Sequence, residues 1–302
     1  MKNNLSTLLR ATFTAAALGA ASLTLVPGTA LAAGGEVEYE HMSWSFAGPF
    51  GKFDRAQLQR GFQVYKEVCA ACHSMKLVAF RTLAQPGGPE FTEDQIKALA
   101  AEYTVQDGPN DDGEMFERPA KPSDRFPSPF ANDEAAKAAN SGALPPDFSL
   151  LAKARGYERG FPTFLIDILT QYQEAGPDYI HAVLVGYEEN PECVGDASGY
   201  LNKAFTVGGT PQGCKDEHGQ STLHGTMIAM PPPLSADLVE YSDGTPQTVD
   251  QYAKDVVAFM MWAAEPHLEA RKAMGFRVML FLLVFAGMLY FVKKKLWAKI
   301  PH

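Results

Sequence analysis

The chain has 302 residues, 46% of them hydrophobic, and a formal net charge of −9 at pH 7 from 35 acidic against 26 basic residues. That apolar content is ample for the core of one or two domains, and an acidic balance argues against nucleic acid as a partner. All 35 acidic residues lie between two apolar ends, which hold seven of the lysines and arginines; the body between them either attracts a basic protein or is simply kept soluble.

Lys2 and Arg10 precede a mostly apolar stretch from Ala11 to Val26, followed by Pro27-Gly28 and Ala30-Leu31-Ala32. This pattern predicts a cleaved secretory signal over residues 1–32; a retained anchor helix is the alternative, but the run is short and diluted by Thr and Ser. Residues 34–53 read as an extended arm with aromatics and glycines. From Asp54, a capping residue, Leu58, Phe62, Tyr65 and Val68 recur at helical spacing, and Gly61 one turn before Tyr65 offers a flat spot for another helix to cross.

That helix runs into Cys69-Ala70-Ala71-Cys72-His73, the C-x-x-C-H attachment signature of a c-type haem. Each thiol can add across one porphyrin vinyl group, and the histidine that follows is placed to ligate the iron. A dithiol redox motif explains the cysteines but not the histidine, and a zinc site needs a second Cys/His pair at ligand spacing.

A short helical stretch through Leu83 follows, then Pro86-Gly87-Gly88-Pro89 and a helix from Glu93 to Tyr103 opened by Thr92. Residues 106–130, with two acidic clusters and five prolines, predict a long surface loop. A helical turn or two from Ala135 to Asn140 ends at Ser141-Gly142, and Leu144-Pro145-Pro146-Asp147 makes a rigid stop. Helical segments are expected around 147–156, 161–174 and Asp178–Val185. Residues 190–226 are glycine-rich and polar, and contain Cys193 and Cys214. In an exported chain these two are expected to form a disulfide worth roughly 3 kcal/mol; two separate buried thiols are the alternative.

Val249, Tyr252, Ala253, Val256, Val257, Met260 and Ala264 mark the apolar face of a helix over Thr248–Ala264, ended by Pro266. Ala273–Val292 carries one charge, Arg277, and twenty helical residues span about 30 Å, the thickness of a bilayer core. With Lys293-Lys294-Lys295 and Lys299 beyond it, this predicts a transmembrane anchor over 271–293 and a cytoplasmic tail over 294–302; a buried core helix is the alternative. Export puts residues 33–270 on the periplasmic side of the cytoplasmic membrane.

A haem carried by His73 has either a sixth ligand or an open site. Met75 is too near His73, Met260 and Met261 are explained by a helix face, and Met274, Met279 and Met288 belong to the anchor. Met230 leads into Pro231-Pro232-Pro233, a stiff segment that suits a ligand holding its distance through an oxidation change. His181, His218 and His224 remain open, as do Met115 and Met227.

With these residues in view, the chain resembles the cytochrome c1 family of haem-bearing subunits of the bacterial cytochrome bc1, or quinol–cytochrome c reductase, complex. The resemblance rests on Val64–Met75, Ala138–Asp147, Ile228–Pro233 and Trp262–Pro266, in that order. It implies thioethers at Cys69 and Cys72, one covalent haem c, and iron ligands at His73 and Met230. It places Asn140, Pro145 and Pro146 along the haem, and Arg155 and Tyr179 near its propionates. The family's usual Gly before the ligand methionine is Ala229 here, and Pro231 stands where Ala is common. A disulfide like Cys193–Cys214 occurs in some bacterial members.

The implied role is a one-electron relay from a Rieske iron–sulfur protein to a basic c-type cytochrome, beside cytochrome b in a dimeric complex. It is not an enzyme by itself. Two rivals remain: another anchored c-type relay, and a haem enzyme or gas sensor with an open iron site. The expected fold is mostly α, a cytochrome c-type domain with long irregular inserts and one C-terminal transmembrane helix.

Overall fold

The computed structural model describes residues 40–155, 165–166, 175–195 and 199–298. The expected signal over 1–32, most of the expected helix over 161–174 and the end of the tail lie outside them; Leu165 and Ile166 are helical. The described residues belong to one compact unit, Val37–His302.

Two helices make its centre. Helix α1, Arg55–Glu67, starts where the Asp54 side chain accepts from Gln57 N at 3.1 Å, and buries Leu58, Phe62, Val64 and Tyr65. It crosses the helix over Val249–Ala264 at Gly61, where a Cβ would stand 2.0 Å from the Asp255 carbonyl oxygen. Only glycine allows that approach. The flat spot read from Gly61 is therefore used, and Phe62 and Tyr65 flank it against Phe259, with ring centroids 5.6 and 5.9 Å apart. Fully buried Asp255 is compensated at the same crossing by Arg60, 2.9 Å away, which also reaches Asp243.

Helix α2, Glu93–Ala101, opens with a reciprocal capping box between Thr92 and Gln95 and stops before Tyr103, whose ring turns into the core beside Phe80. Helix α3 is Asp133–Ala139, capped by Asn132, and ends as Ser141 and Gly142 take positive φ. Helix α4 is only Leu151–Ala154, shorter than the expected 147–156, because Asp147 and Ser149 spend their hydrogen bonds elsewhere. Helix α5 is Ala175–Val185 and α6 is Val249–Ala264, capped by Thr248.

The irregular inserts hold more strand than expected. Residues 106–130 are not one loop: strand β1, Thr104–Asp107, pairs antiparallel with β2, Phe116–Pro119. Arg118 closes this hairpin with ion pairs to Asp107 and Asp124. Strands β3, Tyr187–Glu188, β4, Tyr200–Asn202, and β5, Thr226–Ile228, form a second antiparallel sheet in the order β3-β4-β5. Cys193 and Cys214 are disulfide-bonded with Cα atoms 5.1 Å apart.

The N-terminal arm turns rather than runs extended over 44–50, and it is tied down: Trp44 Nε1 donates to buried Asp178 at 2.7 Å and Lys272 donates to Phe46 O at 2.6 Å. Helix α7, Leu268–Trp297, begins before the expected anchor because its first turn belongs to the body. Leu268 is buried there, and Glu269 receives a two-pronged bond from Arg55 at 2.7 and 2.9 Å. From Met274 onward its large apolar side chains are exposed, and the helix is long and apolar enough to cross a membrane.

Candidate haem-binding site

At the end of α1 the chain tightens into a turn over Cys69–Ala71, with Cys72 N and His73 N both donating to the Cys69 carbonyl at 3.1 and 2.8 Å. The two thiols are not joined to each other, and Cys72 is exposed. Burial, with Cys72 beside it, pushes the Cys69 thiol up to about 12. A working dithiol redox pair has a lowered thiol pKa, so this environment disfavours that reading of the motif.

His73 is held from its far side. Its Nδ1 lies 2.9 Å from the Pro146 carbonyl, which can only accept, so the proton sits on Nδ1 and Nε2 is the nitrogen with a lone pair. Burial keeps the imidazole pKa below its ordinary value, against the pull of the Pro146 bond, so the ring is neutral as a ligand must be. Phe148 stacks on the ring with centroids 4.1 Å apart.

The segment carrying Pro146 and Phe148 is pinned to the residues after His73. Ser74 Oγ and Lys76 N donate to Asp147, Leu77 N donates to Ser149 Oγ, and Phe148 N donates to the Ser74 carbonyl. Burial pushes the Asp147 carboxyl up, but donors from Lys76, Ser149 and Ser74 outweigh it and hold the pKa low. Pro146 thus presents its carbonyl to His73, with Pro145 just before it in the chain. Phe148, which sequence reasoning missed, has only one local signal: it sits inside the Asp147/Ser149 turn just after the prolines.

Met230 comes from a different part of the molecule. It packs, half-buried, against a small cluster of Val183, Ala204 and Ile228, and its carbonyl accepts from Tyr187 Oη at 3.1 Å. Tyr179 packs against both this cluster and the main core, so α5 joins the two. Burial raises the Tyr179 phenol pKa while the nearby Arg155 charge opposes it, which puts that exposed arginine within electrostatic reach. Asn140 uses its side-chain amide on the Ala136 carbonyl at 2.7 Å, ending α3.

The other candidates are differently placed. His181 Nε2 is 2.9 Å from Asp250, and His218 and His224 are exposed. Met75, Met260 and Met261 are buried in the core, Met115 is exposed on the β1–β2 hairpin, and Met227 lies within β5. Two unbridged thiols and a neutral histidine with a free Nε2, all within one tight turn, are a donor set that fits covalent haem and one axial bond.

The sequence model of the Cytochrome C1 family matches residues 44–300. A protein named cytochrome b/c1 from Bradyrhizobium diazoefficiens is 57% identical over 257 residues, covering 84% of this chain; the chain spans 35% of that protein's length. Cytochrome c1 of Blastochloris viridis is 46% identical over 286 residues, covering 92% of this chain and 94% of that one. Cytochrome c1 of Cereibacter sphaeroides is 47% identical over 284 residues, with 92% and 93% covered. With similarity running through almost all of the described residues, the chain belongs to the cytochrome c1 family, whose members carry one covalently bound haem c.

Proposed function

We propose that this chain relays single electrons within a quinol-oxidising bc1 complex, from a Rieske iron–sulfur protein to a basic c-type cytochrome. Cys69 and Cys72 would hold the haem through thioethers, and His73 Nε2 and Met230 Sδ would bind its iron. The haem supplies reversible one-electron chemistry when bound. The chain's own residues act as neither acid, base nor nucleophile: Pro146 and Phe148 orient His73, and Arg155 and Tyr179 would stand by the propionates. Cytochrome b as a neighbour is supported by the Bradyrhizobium relative, whose name joins b and c1. Residues 33–270 face the periplasm, 271–293 anchor the chain and 294–302 are the cytoplasmic tail, with 1–32 removed on export.

The observation that carries this reading is the bond between His73 Nδ1 and the Pro146 carbonyl, which fixes the tautomer a ligating histidine needs. It is tested by spectroelectrochemical titration of the detergent-solubilised holoprotein and its Met230→Leu variant. The expected result is a high-potential haem that resists carbon monoxide in the wild type, with a sharp drop in potential and carbon monoxide binding in the variant. An unchanged potential and spectrum in Met230→Leu would remove Met230 from the site, and ready carbon monoxide binding by the wild type would favour an open-site haem enzyme or sensor.

A further inference from the structure

Sheet pairing ends at Ile228, two residues before Met230, and the next three residues are prolines without an N–H. Among the described residues a single hydrogen bond reaches Ala229–Leu234: the one Tyr187 Oη gives to the Met230 carbonyl at 3.1 Å. Tyr187 stands on β3, at the opposite edge of the sheet from β5, so its hydroxyl crosses the sheet to meet the chain leaving it.

We propose that Tyr187 is a positioning residue for the Met230 thioether, acting through the Met230 carbonyl. The inference rests on the reading of Met230 as an axial ligand. Its platform is hydrogen-bonded in turn: Tyr187 pairs with Asn202, and the fully buried Asn202 side chain donates to Val183 O while accepting from Ala204 N and Phe205 N. The Tyr187 ring packs against the same small apolar cluster as Met230 itself. Prolines stiffen the segment along its length but offer no N–H, and among the described residues no donor reaches the Pro231, Pro232 or Pro233 carbonyls. The phenol hydroxyl supplies that missing hold, setting how often the methionine leaves its position.

The test uses the full-length holoprotein in detergent, with Tyr187→Phe, Met230→Leu, the double variant, and Tyr200→Phe as a tyrosine control on the same sheet. Three quantities are read: the sulfur-to-iron charge-transfer absorption of the oxidised haem, carbon monoxide binding to the reduced haem, and the midpoint potential. Circular dichroism and thiol titration check that fold and disulfide persist. Loss of one such hydrogen bond should raise the carbon monoxide-accessible fraction about tenfold in Tyr187→Phe. The absorption should weaken and the potential fall, while Tyr200→Phe stays at wild-type values.

Adding Tyr187→Phe to Met230→Leu should change nothing further, because the residue acts through a ligand already gone. Tyr187→His, an aromatic donor of shorter reach, should fall between wild type and Tyr187→Phe, and it serves as the working variant if Tyr187→Phe does not mature. A folded Tyr187→Phe protein with wild-type carbon monoxide binding and potential overturns the proposal. So does an equal shift on the Met230→Leu background, which would mark a general packing role. If Met230→Leu alone leaves the haem unchanged, the ligand reading fails first and takes this inference with it, an outcome told apart by that single variant.

Discussion

His73 stands in a continuous aromatic core, whereas Met230 stands at the exit of a three-stranded sheet whose strands are two or three residues long. From His73 the rings run through Phe148, Tyr65 and Phe126 to Phe80, at centroid distances of 4.1, 6.3, 6.1 and 4.4 Å. The Met230 side has a cluster of three buried apolar residues, one disulfide and a set of single hydrogen bonds. Burial scales with area, so the histidine side shares the stability of the whole core, and the methionine side can open as a local unit. On the proposed ligand reading, His73 is therefore the fixed ligand and Met230 the releasable one.

The largest effect is expected at the α1–α6 crossing. Gly61→Val puts its Cβ into the Asp255 carbonyl and 2.8 Å from the Phe259 Cβ, and should cost more than about 4 kcal/mol. Thermal unfolding should show loss of both sides together; a wild-type midpoint would mean the crossing is not what holds the His73 side. Removing the disulfide, by Cys193→Ser with Cys214→Ser, should cost about 3 kcal/mol and stay local. Hydrogen exchange should rise across 187–228 while amides of α1 and α6 remain protected. Exchange rising equally in α1 would show that the two sides unfold as one.

A smaller effect concerns the tie between them. Asp178, fully buried on α5, accepts from Trp44 Nε1 at 2.7 Å and from Met42 N at 3.2 Å, and so fastens the arm to the helix that joins both clusters. Asp178→Ala leaves the buried Trp44 donor without this acceptor and should cost about 1–3 kcal/mol. Faster proteolysis at residues 40–53, with little change in α1 exchange, is the expected pattern.

The two sides also differ in how far the sequence displays them. The His73 side is written locally: C-x-x-C-H, the apolar spacing of α1 and α6, the Asp54 and Thr248 caps and the glycine at the crossing all sit within a few residues of what they specify. The Met230 side depends on partners far away in sequence. Strands of two or three residues are too short to show a period of two, and Tyr187 reaches Met230 across 43 positions. The β1–β2 hairpin escaped notice for a related reason: its acidic, proline-rich composition reads as loop, and its stability comes from Arg118 meeting Asp107 and Asp124. Even on the legible side, Phe148 and the Pro146 carbonyl join His73 across more than 70 positions, and the local proline turn that carries them does not say what they meet.

The smallest predicted effect is a pH dependence, and it sharpens where α5 belongs. His181 on α5 bonds Asp250 on α6 through Nε2 at 2.9 Å, Lys254 bonds the other Asp250 oxygen at 2.6 Å, and Trp44 meets the imidazole edge-on at 6.4 Å. Burial lowers the His181 pKa, with Lys254 acting the same way, and this outweighs the pull of Asp250 and Asp178. The folded imidazole therefore binds its proton less readily than the unfolded one, whose pKa is about 6.5. Below that pH the unfolded state takes up a proton that the folded state refuses, so stability is full above pH 6.5 and falls as pH drops toward the folded pKa. The carboxylates, whose pKa values are held low, lose their contributions only in more acid solution. On the proposed reading His73 binds iron in the holoprotein, which leaves His181 to set the first acid step. His181→Gln should flatten the stability profile just below pH 6.5 and leave the lower limb in place. A profile with the same slope in both proteins would show that α5 does not carry the proton-linked contact between the two sides.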